Sequence, residues 1–352
     1  MAKKASVTVT EETKAADLPG PKLNMQRTRY EFVLEAELPI AHASETLGNL
    51  SLIARKEVRF DGGWAAVPVV SGDTGRHGLR EATAYAFLDA AGLLEQGSLS
   101  EAALRLLFAG GMVTGGGSSA VSLDQYRELV ELVPMLGLLG GCAQNRVISG
   151  RCNVEDAILI CEESRRYIPQ WAIDRAIAYA GPLDTCRAHV EEVTRVRMDP
   201  MLVPEKRMLL TSCEQARVNE RLLASESAAT SGDLIERENT KSSMMPRQHE
   251  RIKQGSLFYW AAEARTYSPL EADTFDTACA GFLANAIVGG KRSTGHGRLR
   301  AIAGKKGELA RPKDALADID PTALAPKMGE IFKSHVAERR DRIKSFLASV
   351  AA

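Results

Sequence analysis

Residues 288–299 read Val-Gly-Gly-Lys-Arg-Ser-Thr-Gly-His-Gly-Arg-Leu, and no other stretch constrains the chain as strongly. Four glycines between two apolar segments stop a helix or strand from running through. They also let the backbone approach a ligand, and successive N–H groups can then form an anion-binding concavity. Lys291, Arg292 and Arg298 add positive charge, and Ser293 and Thr294 add hydroxyls. These residue types point to phosphate. The spacing excludes two common phosphate loops. A P-loop needs Gly, four residues, then Gly-Lys-Ser/Thr; here Asn285 stands at the first glycine position and Arg292 follows Lys291. A dinucleotide fingerprint needs a third glycine, but Gly295-His296-Gly297 runs into Arg298-Leu299-Arg300. A Gly-rich turn between a helix and a strand would account for the same glycines.

Residues 67–81 form a second unit of the same kind. An apolar strand enters the turn Ser71-Gly72-Asp73-Thr74-Gly75, and a helix follows with Arg76, His77 and Arg80. Ser71, Asp73 or Thr74 is suited to cap it. Arg76 and Arg80 are four apart and share one face. Solvated arginines on a capped surface helix are the plain alternative. Two strand–Gly-turn–basic units in one chain suit a long polyanion better than one small phosphate ligand.

The pair resembles the signature elements of the RAMP superfamily, the repeat-associated proteins of CRISPR effector complexes. Their first element is an apolar strand, a small-residue turn and a helix ending in Leu-Arg, here residues 69–80. Their second is a late Gly-Gly-x-x-Ser-x-Gly-x-Gly-Arg loop, here residues 289–298. Between them, Gln254-Gly255-Ser256-Leu257-Phe258-Tyr259-Trp260 is similar to the strand before the last helix of the backbone subunits. Given the long helical insert after the first motif, the chain most resembles the type IV backbone subunit. The resemblance implies an α+β fold: a ferredoxin-like (RRM-type) split βαβ core with a helical finger insertion and a projecting thumb hairpin. It implies a subunit that polymerises along a guide RNA (crRNA) and presents its bases for pairing. Its partners would be the crRNA, identical protomers, cap, large and processing subunits, and a target nucleic acid, DNA for type IV. The RNA-binding candidates are Arg27, Arg29, Ser71, Gly72, Arg76, His77, Arg80, Gly289, Gly290, Lys291, Arg292, Ser293, Gly295, His296 and Arg298. Met244 and Met245 are candidates for a thumb wedge, since apolar wedges unstack bases.

Composition bounds the function. The 352 residues are 45% hydrophobic, enough for a sizeable core, and the formal net charge is zero. Charge is uneven: residues 291–313 hold eight Lys or Arg against Glu308 alone. A basic groove on a neutral body suits a subunit that stacks with its own copies, because uniformly basic protomers would repel one another. Six cysteines show no C-x-x-C pair, so neither a zinc site nor a disulfide scaffold is expected, and no cofactor or metal. Residues 1–25 are polar, without the apolar core of a signal peptide, and are expected to form a flexible arm. No apolar run is long enough for a membrane helix, and the reading is cytoplasmic.

The pattern divides the chain into 1–25 (arm), 26–92 (first part of the palm), 93–185 (helical finger, with a returning palm strand near 146–160), 194–248 (thumb insertion), 249–311 (second part of the palm with the Gly-rich loop) and 312–352 (C-terminal helical segment). Strands are expected at 27–38, 51–60, 64–70, 146–160, 247–260 and 298–302. Helices are expected at 76–92, 98–108 (Ser98 and Glu101 in capping-box spacing), 122–138 and 275–287. Residues 40–49 read as a small-residue loop and 224–243 as a polar, structureless insertion. Leu324, Met328, Ile331, Phe332 and Val336 would share one helical side. Target-cleaving RAMP proteins carry an aspartate in the loop after the first strand. Residues 39–49 contain none, so a non-enzymatic role is expected. His42 and Glu45 keep a nuclease as the alternative.

Overall fold

Tyr30, Phe32 and Leu34 alternate with Arg29, Glu31, Val33 and Glu35, a period of two that makes residues 26–36 a strand with two different faces. The computed structural model describes residues 25–95, 97–112, 119–120, 122–143, 145–196, 203–231, 246–309, 316–321 and 329–350. In it this strand is β1 (Gln26–Ala36), followed by β2 (Ala43–Leu47), β3 (Leu50–Ile53), β4 (Arg55–Phe60) and β5 (Gly63–Val70). Helices α1 (Gly72–Ala91) and α2 (Glu101–Ala109) come next. Then come β6 (Ser119–Ala120), α3 (Leu123–Leu132), α4 (Pro134–Leu139), β7 (Gly141–Ala143), β8 (Arg146–Ile148), β9 (Cys152–Val154), β10 (Ala157–Leu159) and α5 (Gln170–Ala180). After β11 (Val190–Val196) come α6 (Pro204–Arg207) and α7 (Ser212–Ser231), then β12 (Pro246–Ile252), β13 (Leu257–Thr266) and α8 (Pro269–Ala284). The chain closes with β14 (Leu299–Glu308), β15 (Ala317–Ile319), α9 (Glu330–Glu338) and α10 (Arg340–Ser349).

The fold is α+β. Among the described residues the main sheet runs β15-β14-β1-β13-β10-β5-β4, with β9 also beside β13. β1 pairs antiparallel with β13 on one edge and β14 on the other. Its even-numbered side chains face α1 and α8 in an aromatic stack: Tyr30 on Phe275, Phe32 on Trp260, and Trp260 on Phe282. The opposite face is covered by α5, where Trp171 Nε1 donates to Glu31 and the Tyr179 hydroxyl to Glu35. A second sheet runs β11-β12-β3-β2, and a third, β6-β8-β7, lies in the insertion after α2.

Several expectations change. Residues 40–49 fold into the hairpin arm of β2, because Gly48-Asn49 makes a two-residue turn between Leu47 and Leu50. Helix α2 is capped by Ser100, whose side chain accepts from Ala103 N, while Ser98 instead donates to Leu93 O. The helix expected over 122–138 divides at Pro134, which lacks the N–H to continue α3. Helix α8 starts earlier than 275, at Ser268-Pro269, a cap followed by a first-turn proline. The strand material of 247–260 is two strands, and α7 carries regular helix to Ser231 within the stretch expected to lack it. In the tail, β15 adds an edge strand; Phe332 and Val336 are buried, Ile331 is exposed, and Leu324 and Met328 lie outside the described residues.

Helix α9 begins at Gly329 with no cap from its own segment. Asp273 of α8 takes that role: its carboxylate accepts from Gly329 N (3.2 Å) and Phe332 N (2.7 Å). A carboxylate on the orphan N–H groups of a helix start contributes about 0.5–2 kcal/mol. Asp273→Ala is therefore expected to lower unfolding free energy by about 1–2 kcal/mol in a denaturant titration. It should loosen α9 and α10 first in hydrogen exchange, and protection that falls uniformly or not at all would contradict this.

Candidate functional site

The site is assembled on residues 38–42, the segment leaving β1. Leu38 N donates to Arg298 O (3.3 Å) and Gly297 N to Pro39 O (2.9 Å). Ile40 exchanges two backbone hydrogen bonds with Ile252 of β12, and Gly290 N donates to Ala41 O (2.8 Å). Ser71 N, the cap position of α1, donates to His42 Nε2 (3.2 Å). One short segment thus joins the Gly-rich loop, the second sheet and the start of α1. It hydrogen-bonds to both motifs.

Within the Gly-rich loop, Gly297 must be glycine. It sits at φ +90°, and a Cβ there would overlap the Val288 carbonyl oxygen. Lys291 is in the left-handed region at φ 59° and opens a short 3-10 turn over Arg292–Thr294. Non-glycine residues seldom adopt that conformation, and it clusters at binding sites. Lys291, Arg292, Ser293, Thr294, Gly295 and Arg298 are exposed, whereas His296 is 3% exposed. Gly289 and Gly290 pass against Ala41 and His42.

Ser71 and Gly72 hold the start of α1, where the Gly72 and Thr74 amides are engaged. The Ser71 hydroxyl accepts from Thr74 N, and the Asp156 carboxylate accepts from Gly72 N (2.9 Å). Burial raises the pKa of Asp156, but the Gly72 N–H, Lys56 and His42 outweigh it and hold the carboxyl below its ordinary value. Asp156 is thus the acceptor for the first amide of α1.

Arg76 and Arg80 point inward. Both donate to Leu139 O at the end of α4, and Arg80 also to Gly140 O (2.9 Å). These are carbonyls that a helix C-terminus leaves unpaired. Arg80 is 7% exposed; burial, and then the neighbouring Arg76, pushes its pKa down to about 10. His77 remains exposed on α1. Arg27 and Arg29 lie at the far end of β1, about 30 Å and about 23 Å from residue 36 at about 3.3 Å per residue. They are held by carboxylates: Arg27 by Glu263 (2.6 Å), Arg29 by Glu31 (2.8 Å) and Glu155 (2.7 Å). The structure thus brings 289–298 together with Ser71 and Gly72, and it engages these four arginines, Arg80 buried and the others half-buried, with carboxylates or carbonyls. Met244 and Met245 lie outside the described residues.

Other cations and histidines stand here that the sequence pattern did not single out. Period two puts His249 and Arg251 of β12 on one face, with Glu191 opposite Arg251 and Val193 opposite His249 on β11. Arg251 pairs with Glu191 (2.7 Å) and lies 3.5 Å from His296 Nε2. His249 and His296 lie with ring centroids 6.1 Å apart. The sequence signal for this was the alternation in Arg247-Gln248-His249-Glu250-Arg251, which required knowing that β12 faces the loop. His42 accepts from Ser71 N, and burial lowers its pKa. Glu45 is exposed on β2. Among the described residues no cluster of three or more His, Cys, Asp or Glu is placed to hold a metal, and no helix is long and apolar enough to cross a membrane.

Arg80→Ala is expected to lower unfolding free energy by about 1.5–3 kcal/mol, since it removes charge-assisted hydrogen bonds from buried carbonyls. Arg298→Ala, on the exposed loop, should change it by less than about 0.5 kcal/mol. Equal effects in a urea titration would contradict this division of the arginines.

No protein-family model matches the chain, and a search of curated proteins returns no match. Among solved structures the chain is similar to a chain of a Type IV-B CRISPR complex, at 19% sequence identity and a TM-score of 0.47, covering 82% of this chain and 92% of that one. It is also similar to Csc2 of Thermofilum pendens, at 13% identity and a TM-score of 0.38, covering 92% of this chain and 81% of that one.

Proposed function

We propose that this chain is a structural, guide-RNA-binding subunit that polymerises along the crRNA of a CRISPR ribonucleoprotein and presents its bases for pairing with a target strand, DNA in a type IV complex. The observation that carries the reading is the exposed Lys291–Arg298 cationic loop, fixed by backbone hydrogen bonds to residues 39–41. Such a loop contacts phosphates without reading bases, as a subunit repeated along any guide must.

The strand order supports a ferredoxin-like core. β14-β1-β13-β10 is all antiparallel, and α1 and α8 each follow a strand and precede the next core strand. In this reading 26–92 and 249–311 form the palm, and 93–185 the helical finger. The insertion at 194–248, flanked by the paired β11 and β12, is the thumb that reaches a neighbouring protomer. Arg195 and Arg251 join the RNA-binding surface, while Arg27, Arg29, Arg76 and Arg80 are assigned to folding. The role is non-catalytic: His42 spends its acceptor nitrogen on Ser71.

Replacing Lys291, Arg292 and Arg298 together by alanine is expected to reduce the slope of log affinity against log salt by about two units, at about 0.7 per phosphate on single-stranded RNA. The Arg27→Ala/Arg29→Ala pair should leave the slope unchanged. An unaltered slope in the triple variant would contradict the proposed surface. Guide and target strands are expected to survive incubation with the protein and magnesium. Cleavage at regular spacing, abolished by Glu45→Ala, would reverse the non-catalytic reading.

A further inference from the structure

Among the described residues, neither ring nitrogen of His249 has a hydrogen-bond partner, although the side chain is 2% exposed. A buried imidazole always carries at least one N–H and, when neutral, one acceptor, and leaving both unmade is costly. The charges around it are of one sign. Arg195 on β11, Arg251 on its own strand, and Lys291 and His296 in the Gly-rich loop all act against its proton, the His296 ring at 6.1 Å. β3, alongside β12, contributes Leu50-Ser51-Leu52-Ile53 and no ionisable group. The carboxylate of Glu191 is engaged by Arg251, and His42 is turned to Ser71. His296 Nδ1 lies 3.1 Å from Thr294 O, so its N–H donates there and Nε2 faces Arg251.

We propose that His249 and His296, with Arg195, Arg251 and Lys291, form a proton-coupled socket for one tetrahedral oxyanion where the β11–β12 ribbon meets the Gly-rich loop. The occupant accepts from the cations at the exposed rim and from a protonated His249 beneath them, and His249 takes that proton from solvent as the anion binds. The socket is argued from these side chains alone; that its occupant is a guide-RNA phosphate rests on the function proposed above.

The pH dependence has a definite sign. With no anion bound, burial and then Lys291, Arg195, His296 and Arg251 hold His249 down at about 4, against an ordinary 6.5. Between those values the unfolded chain binds the proton and the folded one does not, so folded stability falls as pH falls. A bound oxyanion favours the charged imidazole and opposes that loss. Taking up one proton makes anion affinity rise by up to about tenfold per unit of falling pH within the window.

Sulfate is the probe, because it keeps one charge state across the histidine range. RNA-free full-length chain is melted with sulfate or with chloride at matched ionic strength, at about pH 5.5 and about pH 7.5. Sulfate is expected to raise the melting temperature more than chloride, and more at the lower pH. His249→Gln should remove that pH difference. Imidazole NMR of the wild-type chain requires no variant, and should show His249 titrating at higher pH when sulfate is present. Equal effects of sulfate and chloride, an unchanged pH difference in His249→Gln, or an unmoved His249 titration would each overturn the socket. RNA affinity that rises on acidification in the wild type but not in His249→Gln makes the guide backbone the occupant. A sulfate effect with pH-independent RNA affinity keeps the socket and overturns that occupant. RNA binding with no sulfate effect overturns the socket and leaves the proposed function standing.

Discussion

Residues 38–42 hold the candidate site together, almost entirely with main-chain atoms. Leu38 and Pro39 bond the end of the Gly-rich loop, Ile40 bonds β12, Ala41 bonds Gly290, and His42 accepts from the cap of α1. The segment is held in this place because β1 is hydrogen-bonded along both edges and buried on both faces. A strand so enclosed cannot slip register without exposing its aromatic face. The position of the loop is therefore inherited from the core.

The charge distribution follows the same division. The chain is formally neutral, yet its cations stand in two different settings. Arg27, Arg29, Arg76, Arg80 and Arg151 bond carboxylates or carbonyls inside the fold. Lys291, Arg292, Arg298 and Arg195 lie exposed around one loop. Arginine suits the first role because its planar fork stays charged and satisfies several oxygens at once. The proposed RNA contact needs only accessible positive charge, and a local cluster would supply it on a protomer neutral enough to approach its copies.

This division explains what could be read from sequence. The Gly-rich loop was legible because its glycines stand among cations and hydroxyls, and two of them, Gly289 and Gly297, sit at positive φ against neighbouring backbone. Strand β1 was legible from its period of two, Ser71 was one of three candidates for the cap of α1, with Asp73 and Thr74, and the strand preceding the last core helix was read from the resemblance. The direction of Arg76 and Arg80 was not, since the carbonyls they reach belong to α4, far along the chain. Nor was the occupation of the α1 N-terminus by Asp156, a contact set by tertiary packing. His249 was hidden for a related reason: alternation assigns it a face, but only the pairing of β12 with residue 40 brings that face against the loop.

The central claim is that this chain assembles on RNA. The most direct measurement is the particle size and ultraviolet absorbance ratio of the purified full-length chain before and after ribonuclease treatment. The account predicts large particles with a nucleic-acid absorbance ratio that collapse to monomers on digestion. Monomers free of nucleic acid, which stay monomeric when guide RNA is added, would contradict it, as would large particles indifferent to ribonuclease.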